Sequence, residues 1–390
     1  MKKTSAGNRR HVAAPSASRT LRAESPVKAA LAVMLLTGGW LATGERSMIR
    51  AQGSDARQTF TVGTATAARG ARATGVIHVP PGSDPGYDIP VAVIHGARPG
   101  PALAVVSGAH GTEYTSIIAV ETLMAAGTTP AVDPSTLSGT VILVPIVNLA
   151  SFEKLTPHVN PVDNKSMNRF YPGTPGGTQT ERASYAMTKE LVGKCDHLID
   201  LHGGDLDENL RPYSYWTVTG NQKQDEFSRG MVIAFGLDHI IISSDRPKDP
   251  NASRFLENTA STRGKASITA EAGRSGPVES GDVALLVRGI RGVMSYLKMT
   301  TAAPPPNPNP IWIDQIFTVS AEQDGVFYPE VGRDARVTKG MRIGTVRDYW
   351  YKTLAEISSP ASGIVMFVRA VPSLKKGDTI ANIGTVKQGK

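Results

Sequence analysis

Two short stretches far apart in the chain carry residues able to hold a metal ion. One is Gly108-Ala109-His110-Gly111-Thr112-Glu113, the other Ile199-Asp200-Leu201-His202-Gly203-Gly204. Each follows or closes an apolar run that reads as a buried strand, 103–107 in the first case and 197–201 in the second. In an open α/β sheet, ligands bind beyond the carboxyl ends of the strands. His110, Glu113 and His202 delivered to that edge make a set of two histidines and a glutamate. Such a set in hydrolases holds a catalytic zinc with one position open to solvent. The expected cofactor is therefore one Zn2+ per protomer.

The spacing of His110 and Glu113, three apart at a strand-to-helix junction, lets both side chains bend toward one point. It differs from HExxH, in which both histidines sit on one helix face. Gly108 and Gly111 supply a tight turn around them. Asp200 lies two positions before His202, on the same strand face, where it can hydrogen-bond a ligand imidazole from outside. His78, His95, His197 and His239 read as structural histidines. Cys195 is the only cysteine; it excludes an intrachain disulfide and any thiolate zinc site, and it reads as a small core residue.

Two further motifs suit the chemistry of such a centre. In Asn168-Arg169-Phe170-Tyr171-Pro172-Gly173 an adjacent Asn and Arg precede a Pro-Gly turn. A guanidinium fork binds a carboxylate through two parallel hydrogen bonds, so Asn168 and Arg169 are the candidate substrate clamp; a surface ion pair is the alternative. Glu271 ends the apolar run 266–270 before Ala272-Gly273. A carboxylate at the end of a strand sits where a general acid/base belongs, with a buried salt bridge as the other reading.

These groups need a scaffold. From about residue 71 to 298 strand-like and helix-like segments alternate. Strands are expected over 74–79, 89–95, 102–107, 140–147, 197–201, 213–218, 239–242 and 267–270, and helices over 113–126, 181–193, 222–235, 253–263 and 280–297. The alternation predicts an α/β fold with a mixed central sheet flanked by helices. Ala119, Val120, Leu123 and Met124 give the first helix one buried face. A proline-rich run over 300–310 predicts a stiff linker, and 311–390 a small all-β domain. There, Lys339 to Gly344 echoes Lys376 to Ala381, as two equivalent hairpins would.

The bulk numbers agree with a soluble globular class. Of 390 residues 40% are hydrophobic and 19% charged. The net charge of +8 is concentrated at the N-terminus. The first 50 residues hold nine Lys/Arg against two Asp/Glu, which leaves 33 basic against 32 acidic groups for the rest. The near-neutral remainder gives no case for nucleic-acid binding. The basic N-terminal region precedes an apolar run over 29–43, too short for a membrane span, with Ala42-Thr43-Gly44 as a cleavage site. Residues 1–55 thus read as a signal peptide and flexible N-terminus, with an uncleaved anchor as the alternative, and the mature protein as periplasmic or secreted. The catalytic domain is expected over 56–299.

Taken together the motifs resemble a known family. Gly108 to Glu113, Pro161-Val162-Asp163-Asn164-Lys165-Ser166-Met167-Asn168-Arg169-Phe170-Tyr171-Pro172-Gly173, Asp200-Leu201-His202 and Thr269-Ala270-Glu271-Ala272-Gly273 occur in the order of the succinylglutamate desuccinylase/aspartoacylase family, which is related to the zinc carboxypeptidases. The resemblance spans roughly residues 70–390. It implies a zinc-dependent hydrolase acting on the amide bond of N-acylated amino acids or similar small acyl compounds. It also implies zinc ligation by His110, Glu113 and His202, a substrate carboxylate on Asn168 and Arg169, and Glu271 as general acid/base. The chain departs from the family at two places. Ser166-Met167 replaces Asp-Leu or Asn-Leu before Asn168-Arg169, and no arginine lies between Gly139 and Asn168, where many members carry one that stabilises the oxyanion. Lys154, His158, Lys165, Arg211 and Arg274 are the candidate substitutes. A zinc carboxypeptidase acting on short peptides, or a zinc-containing binding protein without turnover, are the other functional readings.

Overall fold

The computed structural model describes residues 57–387 apart from 128–130, 302–306 and 308. The expected signal segment lies outside the described residues, as does most of the proline run. In chain order the elements are β1 (Thr59–Val62), β2 (Ala65–Ala68), β3 (Ala71–Val79), β4 (Tyr87–His95), β5 (Arg98–Val106), α1 (Tyr114–Met124), β6 (Ser138–Val144), α2 (Leu149–Glu153), α3 (Gln179–Met187), β7 (His197–His202), β8 (Glu208–Leu210), β9 (Tyr213–Thr217), α4 (Gln222–Phe235), β10 (His239–Ser243), α5 (Leu256–Ser261), β11 (Ala266–Glu271), α6 (Ser280–Tyr296) and β12 (Ile311–Ser320). Beyond β12 the chain continues in short strands.

The main sheet runs β3-β4-β6-β5-β7-β11-β9-β10-β12. Its centre, β6-β5-β7-β11, is parallel. β3 and β4 run antiparallel at one side and β9 meets β11 antiparallel at the other. This is the mixed sheet that the sequence predicts. The central strands are apolar on both faces: in β5 the side chains from Pro101 to Val106 are all buried, as expected for parallel strands covered by helices. One apolar layer packs Leu103, Val105, Ile199 and Ile268 under Val120, Leu123, Phe235, Ile290 and Val293 of α1, α4 and α6. The opposite layer packs Ala104, Val106, Ile142 and Leu198 against Ala183, Met187 and Leu256.

The strand-rich C-terminal region is joined to this sheet directly. β12 pairs in parallel with β10 and antiparallel with strand Thr379–Val386, and strand Gly363–Arg369 reaches back to β8. Among the described residues no helix is long and apolar enough to cross a membrane.

Candidate active site and metal centre

Three neighbouring parallel strands, β5, β7 and β11, end at the same edge of the sheet, and each contributes to one cluster. The register sets Glu271 directly across from His202, while Tyr213, at the start of antiparallel β9, faces Glu271 from the other side. The segment after β5 turns through Gly108 at φ +69°, where a Cβ would meet the Cα of Ile146 at 2.8 Å. Asn148 holds this segment: its N–H donates to the Gly108 carbonyl at 2.8 Å and its side-chain amide to that of Ala109 at 3.3 Å. His110 and Glu113 are then fixed between a strand end and the first turn of α1.

Ligand atoms of His110, Glu113 and His202 lie within 4.8 Å of one another. His110 Nδ1 is 2.7 Å from Glu113 Oε1, and His202 Nδ1 is 3.0 Å from Glu113 Oε2. The Gly203 N–H also donates to Oε2, at 3.1 Å. Burial works to raise the Glu113 pKa, but the two histidines outweigh it and bring the carboxyl down to about 2. His202 is moved the other way: burial lowers its pKa, while Glu113 and Asp200 raise it well above the usual histidine value. Both Nδ1 atoms thus face one carboxylate, and both Nε2 atoms face outward. His110 Nε2 is 3.3 Å from Ser166 Oγ; His202 Nε2 is 3.1 Å from the Asn168 amide and 3.5 Å from Asp200 Oδ1. Asn168 Oδ1 is buried without a partner. With the amide turned over, it accepts the Nε2 proton of His202, the tautomer that leaves Nδ1 as a ligand. Two imidazoles and a carboxylate with outer partners in place fit a zinc ion.

Glu271 accepts a hydrogen bond from the Tyr213 hydroxyl at 2.9 Å. Burial pushes its pKa up; His202 pulls it down and Glu113 pushes it up again, leaving it at about 7. A carboxylate near neutrality can both take and return a proton. Asn168 is buried against His202, whereas Arg169 beside it is exposed, its guanidinium 5.2 Å from the Phe255 ring.

Of the five candidate substitutes for the missing arginine, one contacts the cluster. The His158 ring stands edge-on to His110, with centroids 6.2 Å apart. Lys165 is paired with Glu181, Arg211 with Asp238 and Asp334, and Arg274 with Glu279. Lys154 is exposed on the turn after α2. His158 Nε2 lies 2.8 Å from Asp207 and Nδ1 3.3 Å from Asp205. Burial lowers its pKa, but Asp207, Asp205 and Glu208 overcome this and hold it at about 9, so it carries a charge at neutral pH. His158, Asp207 and Glu208 form a second group of possible metal ligands; Asp207 there already pairs with Arg369.

Sequence reasoning missed Asp205 and Tyr213. Asp205 is fully buried and joins three segments: it accepts from the Thr112 hydroxyl, from the His158 N–H at 2.9 Å and from the Leu206 N–H at 2.7 Å. Its place directly after Leu201-His202-Gly203-Gly204 was the available signal. The histidines read as structural lie elsewhere: His78 pairs with Asp88, His95 with Thr140, His239 with Asp238, and His197 stacks on Phe227 at 4.7 Å. Cys195 is buried in the core.

Residues 99–297 match the model of the succinylglutamate desuccinylase/aspartoacylase catalytic domain. The chain belongs to this family. An N-alpha-acetyl-L-2,4-diaminobutyric acid deacetylase from Halomonas elongata is 26% identical over 304 residues, 76% of this chain and 86% of the relative. Two solved structures share the fold. One is a succinylglutamate desuccinylase/aspartoacylase from Rhodobacter sphaeroides, with TM-score 0.72, 22% identity and coverage of 82% of this chain and 96% of the other. The second is the product-bound ectoine utilization protein EutE (DoeB) from Ruegeria pomeroyi, with TM-score 0.71, 22% identity and coverage of 80% and 95%. Family membership makes the chain a hydrolase acting on acyl amide bonds.

Proposed function

We propose that this desuccinylase/aspartoacylase family member is a zinc-dependent deacylase that releases amino acids from small N-acyl amino acids. The observation that carries the reading is the convergence of His110, Glu113 and His202 within 4.8 Å, with Glu271 directly across the ladder from His202. The Halomonas relative, a deacetylase of an acylated amino acid, supports the same substrate class.

His110, Glu113 and His202 would hold zinc, which supplies a Lewis acid for the scissile carbonyl and lowers the pKa of attacking water. Glu271 takes the proton of the attacking water and returns it to the leaving nitrogen, oriented by its hydrogen bond from Tyr213. Arg169, exposed beside buried Asn168, binds the substrate carboxylate. His158 supplies positive charge next to His110 as the oxyanion forms, the task left open by the missing arginine. Asp205 acts on both segments, tying the loop of His110 and Glu113 to that of His158.

The test is amino-acid release from a panel of N-acyl amino acids and short peptides by zinc-loaded protein. Turnover of the former is expected; turnover of peptides alone would replace this reading by a carboxypeptidase. The basic N-terminal region and the apolar run over 29–43 support export to the periplasm or beyond. Mass spectrometry of the native protein should find a mature N-terminus after about Gly44; an intact N-terminus on cytoplasmic protein would contradict export.

A further inference from the structure

The strand-rich C-terminal region carries an exposed aromatic patch that the reaction does not use. Strands Arg342–Arg347 and Thr353–Ser358 form an antiparallel hairpin, and its turn reads Asp348-Tyr349-Trp350-Tyr351-Lys352. Tyr349, Trp350 and Tyr351 are 74%, 84% and 66% exposed. Single apolar residues on a surface are ordinary, whereas a contiguous group marks an interaction site. The turn is built to present these rings. Asp348 Oδ1 accepts the N–H groups of Trp350 and Lys352, each at 2.9 Å. The Asp348 N–H donates to the Lys352 carbonyl at 2.9 Å, and the Tyr351 N–H to the Asp348 carbonyl at 3.2 Å. Tyr351 takes φ +72°, a left-handed conformation that costs a bulky residue free energy. Its ring is braced edge-on by Tyr328 at 5.8 Å, and the Arg347 guanidinium lies 3.9 Å from its centroid.

Area, chemistry and charge favour a lipid surface over a protein partner. Three rings exposed to this extent offer about 450 Å², against about 800 Å² per partner in a stable protein–protein interface. Trp and Tyr, each an apolar body with one polar tip, collect where hydrocarbon meets water in membranes. Backbone that enters lipid must satisfy its own polar groups, as the N–H groups of Asp348, Trp350, Tyr351 and Lys352 do within the turn. The unmatched charge beside the rings is positive. Lys352 is exposed next to Tyr351, and among the described residues neither Lys352 nor Arg347 has a carboxylate within 4.0 Å. Asp348 is taken up by the N–H groups of the turn, and Lys375 is paired with Asp324 at 3.0 Å. Positive charge at such a tip complements an anionic leaflet. A chain of contacts joins the hairpin to the metal corner. Arg347 stands across from Val326 and Val326 across from Ser373, whose carbonyl accepts from Arg369, the ion-pair partner of Asp207 beside His158.

We propose that the 348–352 hairpin tip is a peripheral membrane-docking element, which seats Tyr349 and Trp350 in the interfacial layer of an anionic bilayer with Lys352 and Arg347 against its headgroups. The protein then works at a membrane surface that it does not span. The proposal goes beyond the deacylase reading and stands whether or not that reading holds.

The experiment measures co-sedimentation of the full chain with vesicles of phosphatidylglycerol and phosphatidylcholine, and with vesicles of phosphatidylcholine alone. Binding should favour the anionic vesicles. Trp350→Ala should weaken it by about 10-fold or more, the worth of burying a large apolar side chain. Lys352→Gln should weaken it by about 5-fold, the worth of one basic group at an anionic surface, and this loss should disappear in about 1 M salt. Both variants should unfold at the temperature of the wild type, because the side chains they change are exposed. The N-terminal apolar run is common to all three proteins, so a second readout isolates the tip. Brominated lipids should quench a component of the tryptophan emission that Trp350→Ala lacks. Equal binding by wild type and both variants, or quenching that is the same with and without Trp350, overturns the proposal. A dimer in light scattering that Trp350→Ala dissociates, with no quenching of Trp350 by brominated lipid, assigns the patch to a second copy of the chain and overturns it as well.

Discussion

The two ends of the site are built on opposite principles. At the metal corner each polar group answers another: Glu113 receives both histidines and the Gly203 N–H, and Asp205 ties the loops together from a fully buried position. At the other end the guanidiniums of Arg169 and Arg246 lie over the Phe255 ring, and among the described residues neither has a carboxylate within 4.0 Å. A buried charge without a partner is costly. The arginine side is partly exposed, which moderates that cost. The contrast teaches that the corner is organised by its own groups, whereas the arginine side is left open for the substrate carboxylate that Arg169 is proposed to bind. Substitutions at the corner should therefore act on turnover, and those on the arginine side on substrate choice.

The sharpest way to break this division is Glu271→Gln. It should retain zinc and lower kcat by about 10²–10⁴-fold, measured by steady-state kinetics beside metal analysis. Full activity would leave Glu271 a structural partner of Tyr213. Arg169→Lys keeps the charge but loses the planar fork. It should weaken kcat/KM for substrates with a free carboxylate by about 10-fold or more, and much less for matched amides or esters. Equal losses on both would move Arg169 to the oxyanion or to the fold.

The smallest effect concerns stability at the junction of the two ends. His158 is raised to about 9 in the folded protein, against an ordinary value of 6.5. A group raised on folding contributes stability that is fully present below its unfolded pKa and fades as pH rises through the folded one. In chelated protein, wild type should therefore exceed His158→Gln in thermal stability near pH 6, and the gap should narrow between about pH 7 and 9. Asp207, lowered chiefly by its bond from His158 against the opposing effect of burial, adds stability that is lost only at acid pH. A gap independent of pH would mean that His158 acts through packing alone.

Much of the scaffold was legible because the central strands are short apolar runs and the helices carry one apolar face. All eight expected strand positions coincide with strands, and each expected helix overlaps one. What escaped was set by tertiary pairing. β1 and β2 pair mainly with each other, and Ala-Thr runs give no clear alternation. The expected helix over 253–263 contracts to Leu256–Ser261, and that over 181–193 changes to a wider-turned segment after Met187. For the site, local motifs exposed His110, Glu113, His202, Asn168, Arg169 and Glu271, each next to a strand end or a Gly or Pro turn. Tyr213 carries no such mark. Its relation to the site depends on the antiparallel entry of β9 beside β11, which sequence spacing cannot express.

The central claim is that His110, Glu113 and His202 hold a zinc ion on which deacylation depends. The most direct measurement is amino-acid release from the N-acyl amino acid panel before chelation, after it, and after zinc is returned in known amounts. Release should stop on chelation and return in full at about one zinc per chain, and His202→Ala should fail to recover it. Undiminished release from chelated protein, or full recovery in His202→Ala, would contradict the account.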